Sequence, residues 1–180
     1  LTMVYHGRLD RHRGIMAAVM LAHKAHQGGV EINLKLIGEG DATTDLHSIA
    51  SEVDYIEVKD KMEQAKVAQE IAACHIGILP MPKRTAWVLA SPLKRSEYLA
   101  SGLCVFGVDH EGHRLEHEMP WFVLAAQEDF HEVGLEYLKN FTTQDNVQSL
   151  EVRAFAEQHC GWDKAITNLK DGIHRTMADS

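Results

Sequence analysis

Short apolar runs alternate with amphipathic stretches over most of the chain. Six runs are predicted to be strands: 2–6, 31–37, 55–58, 75–79, 103–108 and 121–125. In four of them, the first, second, fourth and fifth, the apolar residues are nearly continuous. This pattern is typical of strands that are buried on both faces of a parallel sheet, so it favours an α/β protein.

Helical periodicity fills the segments between and after these runs. The predicted helices are 14–27, 42–52, 62–73, 91–100, 128–139, 147–159 and 162–177. In the first, Ile15, Val19 and Ala22 form one stripe at helical spacing, and Gly28 follows as a stop signal. The alternation predicts a three-layer, Rossmann-like α/β lobe over residues 1–180, with about six parallel strands, helices on both faces and a C-terminal helical extension.

The chain has 180 residues, of which 45% are hydrophobic and 24% charged. A domain of this size buries roughly 70% of its unfolded surface, which is enough for a core without disulfides or metal. No apolar stretch approaches the roughly 20 residues of a membrane span. Leu1 does not open a signal peptide, so we expect a single domain that another lobe precedes in a longer protein.

Acidic residues outnumber basic residues by 26 to 18, and the formal net charge is −8. This balance excludes a general attraction to nucleic acid or anionic lipid, although a few cations can still form a local anion site. The three cysteines, Cys74, Cys104 and Cys160, are widely spaced and odd in number. We therefore expect free thiols in a reducing cytoplasm.

The loop after the first predicted strand, 6–14, is strongly basic. Its glycines and arginines are Gly7, Arg8, Arg11, Arg13 and Gly14. In open parallel sheets, ligands bind where such loops lead into helices, and a helix N-terminus adds about half a unit of positive charge. Since guanidinium groups match phosphate oxygens, the loop predicts an anion site. The alternative is a solvated basic turn that pairs with Asp10 and neighbouring acids.

The segment between the fourth and fifth strands, 80–102, contains a helix with two charged residues near its start. Ser91 and Pro92 form an N-terminal signal, and Gly102 ends the helix. Lys94 and Glu97 lie three residues apart on one helical face. Together they could bind a phosphate and a pair of hydroxyl groups. The alternative is a surface ion pair worth a few tenths of a kcal/mol.

Several motifs follow one another along nearly the whole chain. They are Gly7-Arg8-Leu9 with Arg13-Gly14, Gly38-Glu39-Gly40-Asp41, Ile78-Leu79-Pro80, Glu97-Tyr98-Leu99-Ala100-Ser101-Gly102, and Trp162 in Cys160-Gly161-Trp162-Asp163. In this order, the set resembles the C-terminal lobe of the family-four, GT-B-type glycosyltransferases.

The resemblance implies a donor site for a nucleotide-diphosphate sugar. Arg8 and Arg13 match the residues that grip the diphosphate and would stabilise it as the leaving group; the second is usually Lys in that family. Glu97 matches the glutamate that binds the ribose hydroxyls. The implied nucleotide-sugar-binding set is Gly7, Arg8, Arg13, Leu93, Lys94 and Glu97.

The resemblance also implies retaining glycosyl transfer, of the hexosyltransferase type, in polysaccharide or glycoconjugate biosynthesis. No metal cofactor is expected, because fixed cations and helix amides can stabilise the leaving diphosphate. The implied partners are the nucleotide-sugar donor and an N-terminal acceptor lobe, which is absent before Leu1. Any peripheral membrane contact would come through that lobe, and nucleic acid is not expected as a partner. This chain alone would therefore bind a donor but transfer it poorly.

Two further features depart from the family pattern. Leu89 lies where a second glutamate normally touches the donor sugar, and 90–94 replaces a glycine-rich loop, although some branches carry a Ser-Pro-Leu-Lys version. The departure favours an alternative function, a Rossmann-like module that binds a nucleotide or phospho-ligand without catalysis.

A third alternative comes from the loop after the fifth strand. His113, Glu116 and His117 match an inverted zinc-protease pattern. Such a site needs both histidines on a settled helix and a third ligand elsewhere. Because this segment is short and begins after Gly112, we expect a polar loop and no metal.

Overall fold

A computed structural model of the chain describes residues 1–90, 93–141 and 146–161, and scattered positions from 163 to 174. Its strands are β1 Thr2–Arg8, β2 Asn33–Glu39, β3 Ile56–Lys59, β4 Ile76–Leu79, β5 Cys104–Val108 and β6 Phe122–Ala125. They form one parallel sheet in the order β3-β2-β1-β4-β5-β6. This is the doubly wound, Rossmann-like order, as the alternation of strands and helices predicted.

The helices are α1 Ile15–Gln27, α2 Thr43–Glu52, α3 Gln64–Ala72, α4 Thr85–Val88, α5 Leu93–Ala100, α6 Phe130–Lys139 and α7 Asn146–His159. The short helix α4 and a 3-10 turn over Arg11–Arg13 were not predicted. Ser91, Pro92 and Trp162 lie outside the described residues, as do several positions of the predicted helix 162–177. None of the described helices has both the length and the apolarity needed to cross a membrane.

Helices cover both faces of the sheet, which makes three layers. Gly77 of β4 faces α5, because a Cβ there would lie 2.2 Å from the ring of Tyr98. Phe106 of β5 points the other way, and its ring packs 5.1 Å from that of Phe130 on α6. Gly77 pairs with Val105 in the sheet, and successive strand residues alternate between faces. The predicted three-layer architecture is therefore confirmed.

The close contact between α5 and β4 fixes the position of α5. Tyr98 is fully buried, and its ring occupies the space that a side chain at position 77 would need. Since Gly77 lies in the middle of the sheet, α5 is held directly over it. Lys94 and Glu97, which precede Tyr98 on the same helix, are thereby held beside the carboxyl ends of β1 and β4.

The loops that follow β1 and β4 meet at the point where the strand order reverses. Gly14, at the start of α1, has φ +77°, and a Cβ there would lie 2.0 Å from the carbonyl oxygen of Pro80. Only glycine fits both this backbone conformation and this close approach. The contact therefore joins the basic loop to the end of β4 at the topological switch point.

Candidate functional site

A cavity of about 360 Å³ opens at this switch point. Its lining comes from the end of β1, the basic loop and the segment from β4 to α5: His6, Gly7, Arg13, Met81, Trp87, Ala90, Leu93, Lys94 and Glu97. A larger cavity, of about 660 Å³, is lined by α6 and by Cys104 at the opposite end of β5. Because ligands of open α/β sheets bind at the switch point, the smaller cavity is the candidate site.

The structure brings most of the predicted site residues together. Five of them line the cavity: Gly7, Arg13, Leu93, Lys94 and Glu97. Arg8 does not line it; its side chain is 57% exposed and lies 3.1 Å from the carboxylate of Asp10. Leu89 is 81% exposed and also lies outside the lining.

Asp10 organises the basic loop. Its buried carboxylate accepts hydrogen bonds from Arg8 at 3.1 Å, from Arg13 at 3.3 Å and from the amide of Asp41 at 3.2 Å. Burial raises the pKa of Asp10, but these hydrogen bonds outweigh it, so the pKa lies below its ordinary value. The pairing expected of a basic turn is thus present. Two guanidinium groups share this one carboxylate, and the charges of Glu39 and Asp41 also act on Arg8.

Lys94 lies over the backbone of Gly7, at the floor of the cavity. Its Nζ lies 5.2 Å from the ring centre of Tyr5. A Cβ on Gly7, which has φ +109°, would lie 3.1 Å from this Nζ, so a side chain there would push the ammonium away. Burial lowers the pKa of Lys94, and the nearby charge of Arg13 lowers it further. An anion in the cavity would offset both effects, because it favours the charged ammonium.

Glu97 pairs with β1 rather than with its neighbour on the helix. Its Oε2 lies 3.1 Å from Nε2 of His6, whose residue is only 8% exposed. The imidazole lowers the pKa of Glu97, although burial acts against it. In the part of the chain that the structure describes, the side-chain partner of Glu97 is therefore His6, and the two form an ion pair when the imidazole is protonated. The Lys94–Glu97 surface pair offered as an alternative is not formed.

Trp87 on α4 forms an apolar wall of the cavity. The guanidinium carbon of Arg13 lies 4.7 Å from the ring centre of Trp87. The ring of His12 stacks on the same indole, 5.8 Å between centroids. Such contacts hold Arg13 against the wall while its Nε bonds to Asp10.

Four lining residues were not predicted from the sequence: His6, Met81, Trp87 and Ala90. Two of them carried a signal. His6 is a polar residue that directly follows the apolar run Met3–Tyr5, and Trp87 is the one tryptophan in the long segment between the fourth and fifth strands. Met81 and Ala90 carried none, because their place depends on the path of that segment.

The loop that carries the zinc-protease pattern has a different conformation from the one such a site needs. Residues 109–120 form turns and bends rather than a helix. His113 is fully buried and its Nδ1 lies 2.7 Å from the carbonyl oxygen of Val108, so it faces the core. Within the described residues, no three His, Cys, Asp or Glu side chains are grouped so as to hold a metal ion. The zinc-hydrolase alternative is therefore not supported.

No protein-family model matches this sequence, and no curated protein matches it. Solved structures of GT-B glycosyltransferases do match its fold. The pneumococcal O-GlcNAc transferase GtfA, in complex with UDP and GlcNAc, is 16% identical with a TM-score of 0.68; the match covers 98% of this chain and 36% of that one. The catalytic domain of starch synthase IV from Arabidopsis thaliana, bound to ADP and acarbose, is 13% identical with a TM-score of 0.70, and the coverage is 98% and 38%.

A third match is shorter. The catalytic domain of cholesterol-α-glucosyltransferase from Helicobacter pylori is 12% identical with a TM-score of 0.64, covering 88% of this chain and 98% of that one. The chain thus spans little more than a third of the first two structures and nearly the whole of the third. At these identities, the likeness is one of fold.

Proposed function

We propose that this chain is the donor-binding domain of a GT-B glycosyltransferase, and that it binds a nucleotide-diphosphate sugar in the switch-point cavity. One observation carries the proposal. Arg13, Lys94 and Glu97, which come from two separate segments of the chain, line the same cavity at the carboxyl ends of β1 and β4. The fold that the chain shares with glycosyltransferase structures supports it.

In this proposal, cations hold the diphosphate and a carboxylate holds the ribose. Lys94 and Arg13 line the cavity and hold the diphosphate. Arg8, which shares the carboxylate of Asp10 with Arg13, adds a positive charge next to them. When the sugar bond breaks, negative charge builds up on the leaving phosphate, and cations that are already fixed stabilise it without reorganising. Glu97 accepts hydrogen bonds from the two ribose hydroxyls.

The finer features of the reaction are proposed from the family resemblance. The transfer retains the anomeric configuration, needs no metal and serves polysaccharide or glycoconjugate synthesis. A separate N-terminal lobe holds the acceptor and makes any membrane contact, which fits a chain that spans 36% of the pneumococcal enzyme. The three cysteines, which form no disulfide in the described part of the chain, suit a reducing, cytoplasmic setting. On its own, the domain binds the donor and transfers it weakly.

Thermal unfolding with UDP or ADP tests the binding step. A ligand that binds only the folded state stabilises it by about 2.7 kcal/mol at a hundredfold excess over its Kd. Lys94→Met should abolish most of this shift, because it removes a partly buried cation from the cavity floor. Lys24→Met, an exposed site in the last turn of α1, is the matched control and should keep the full shift. An unchanged melting temperature of the wild type at millimolar UDP and ADP would refute the proposal.

A non-catalytic nucleotide-binding module is the second candidate function. It is favoured by Leu89, which is apolar, 81% exposed and outside the cavity lining, where the resemblance calls for a carboxylate on the donor sugar. Calorimetry separates the two functions. A donor site should bind a nucleotide sugar and its free diphosphate differently, since the sugar contacts the protein. Equal affinities for UDP and a set of UDP-sugars, without hydrolysis or transfer, would favour the module.

A further inference from the structure

We propose that His6 is a positioning residue, which orients the Glu97 carboxylate and thereby sets the preference of the site for a ribose with both hydroxyl groups. The inference rests on the proposed function, because it assumes that Glu97 meets a nucleotide. It adds a residue that comes from a different element and that the sequence motifs do not include.

The imidazole of His6 is held rigidly. His6 lies in β1, paired with Ile37 of β2, and the strand fixes the direction of its side chain. Its ring meets the ring of Tyr98 edge to face, with 5.3 Å between centroids and an interplanar angle of 85°. Tyr98 is in turn fixed against Gly77. The ring therefore has little freedom to turn away from Glu97.

The chemistry of the contact makes His6 a donor. Nε2 of His6 is shielded from water and lies 3.1 Å from Oε2 of Glu97, an ion-pair distance, although the N–H points off the line of a regular hydrogen bond. If Nε2 lacked a proton, two lone pairs would face each other in a poorly solvated place, so the proton belongs on Nε2 in the neutral as well as in the charged ring. This contact engages Oε2, and because Glu97 also lines the cavity, its other carboxylate oxygen is free to accept hydrogen bonds from a ligand there.

Such an arrangement prepares Glu97 for a ligand. Glu97 is 39% exposed, so without His6 its side chain would move among rotamers and lose that freedom when a nucleotide binds. Holding a long side chain in its bound position avoids this loss, which corresponds to about a three- to tenfold change in affinity. Loss of His6 should therefore lower the affinity for ligands that bind Glu97 through the ribose hydroxyls. It should leave unchanged the affinity for ligands that lack these hydroxyls.

Calorimetric titration with UDP or ADP, whichever binds more tightly, and with its 2′,3′-dideoxy form tests this. His6→Leu should weaken binding of the ribose form by about three- to tenfold and leave the dideoxy form unchanged. His6→Gln should restore most of the ribose preference, because its amide can also donate to Glu97. His47→Leu, which removes an imidazole that is 48% exposed and lies outside the cavity lining, should behave as the wild type.

The possible outcomes distinguish failure of the His6 role from failure of the proposed function. A ribose preference that persists in His6→Leu, or an equal loss of affinity for both forms, would overturn the role of His6 and leave the donor site intact. A wild type that binds neither UDP nor ADP would overturn both. If His6→Leu does not fold, ¹⁵N NMR spectra of the His6 ring in the wild type and in Glu97→Gln decide. A wild-type ring with its proton on Nε2, whose ¹⁵N shifts change in Glu97→Gln, supports the inference. A ring with its proton on Nδ1, or shifts that stay the same in Glu97→Gln, refutes it.

Discussion

Acid should destabilise this domain through two histidines that are buried beside the candidate site. His110 and His113 are both fully buried, and their ring centres lie 3.7 Å apart. The backbone of α4 packs against the turn between them, since a Cβ on Gly112 would lie 2.2 Å from the carbonyl oxygen of Trp87. A proton added to either ring would place a charge in this apolar contact.

The size of the effect follows from His113. Burial lowers its pKa from 6.5 to about 3, the carbonyl of Val108 acts in the opposite direction, and His110 lowers it further. A depressed histidine pKa contributes stability above the unfolded value of 6.5, and this stability is lost as the pH falls toward 3. Between about pH 8 and pH 5, His113 alone should cost about 2 kcal/mol of unfolding free energy. The pKa of His110 is also lowered, chiefly by burial, so its contribution has the same sign.

Urea unfolding at both pH values measures this loss in the wild type and in His113→Asn. The asparagine amide can still donate to Val108 but does not titrate, so the variant should lose about 2 kcal/mol less than the wild type over the same interval. Carboxylates that also titrate, such as Asp10, contribute equally to both proteins and cancel in the difference. His47→Asn removes an imidazole whose side chain is 48% exposed and should lose as much as the wild type. Equal pH dependence in His113→Asn and the wild type would refute the reasoning.

Three further outcomes are expected. Gly14→Ala should lower the unfolding free energy by roughly 2–4 kcal/mol in urea titrations, because it adds a Cβ at φ +77° that would lie 2.0 Å from the carbonyl oxygen of Pro80. Gly77→Ala should cost roughly 1–3 kcal/mol by the same measurement, since its Cβ would meet the buried ring of Tyr98, and an unchanged midpoint would contradict the packing of α5 on β4. Thiol titration of the unfolded chain without reductant should find three free sulfhydryls, and a count of one would reveal a disulfide.

Much of the fold could be predicted because it follows from local patterns of burial. The runs that were almost wholly apolar, such as 76–79, became strands buried on both faces, and every predicted strand lies within two residues of an observed one. The alternation of strand and helix already implied parallel pairing, because parallel neighbours need a crossover connection. The helix α4 could not be predicted: four residues carry no periodicity, and their conformation depends on the loop they pack against.

The candidate site, too, could be predicted only in part from the sequence. By itself, the sequence determined most of the secondary structure and placed Arg13, Lys94 and Glu97 in loops or helix starts after strands, where ligands bind. Gly7, predicted in the loop, is instead the penultimate residue of β1. Only the tertiary structure decided which loops meet. The strand order puts β1 beside β4, so that two segments far apart in the chain enclose one cavity, and it turns Glu97 toward His6 rather than Lys94. The physical reason is that a residue's local conformation is set by near neighbours, whereas its ion-pair partner is set by the packing of whole elements, here of Tyr98 against Gly77.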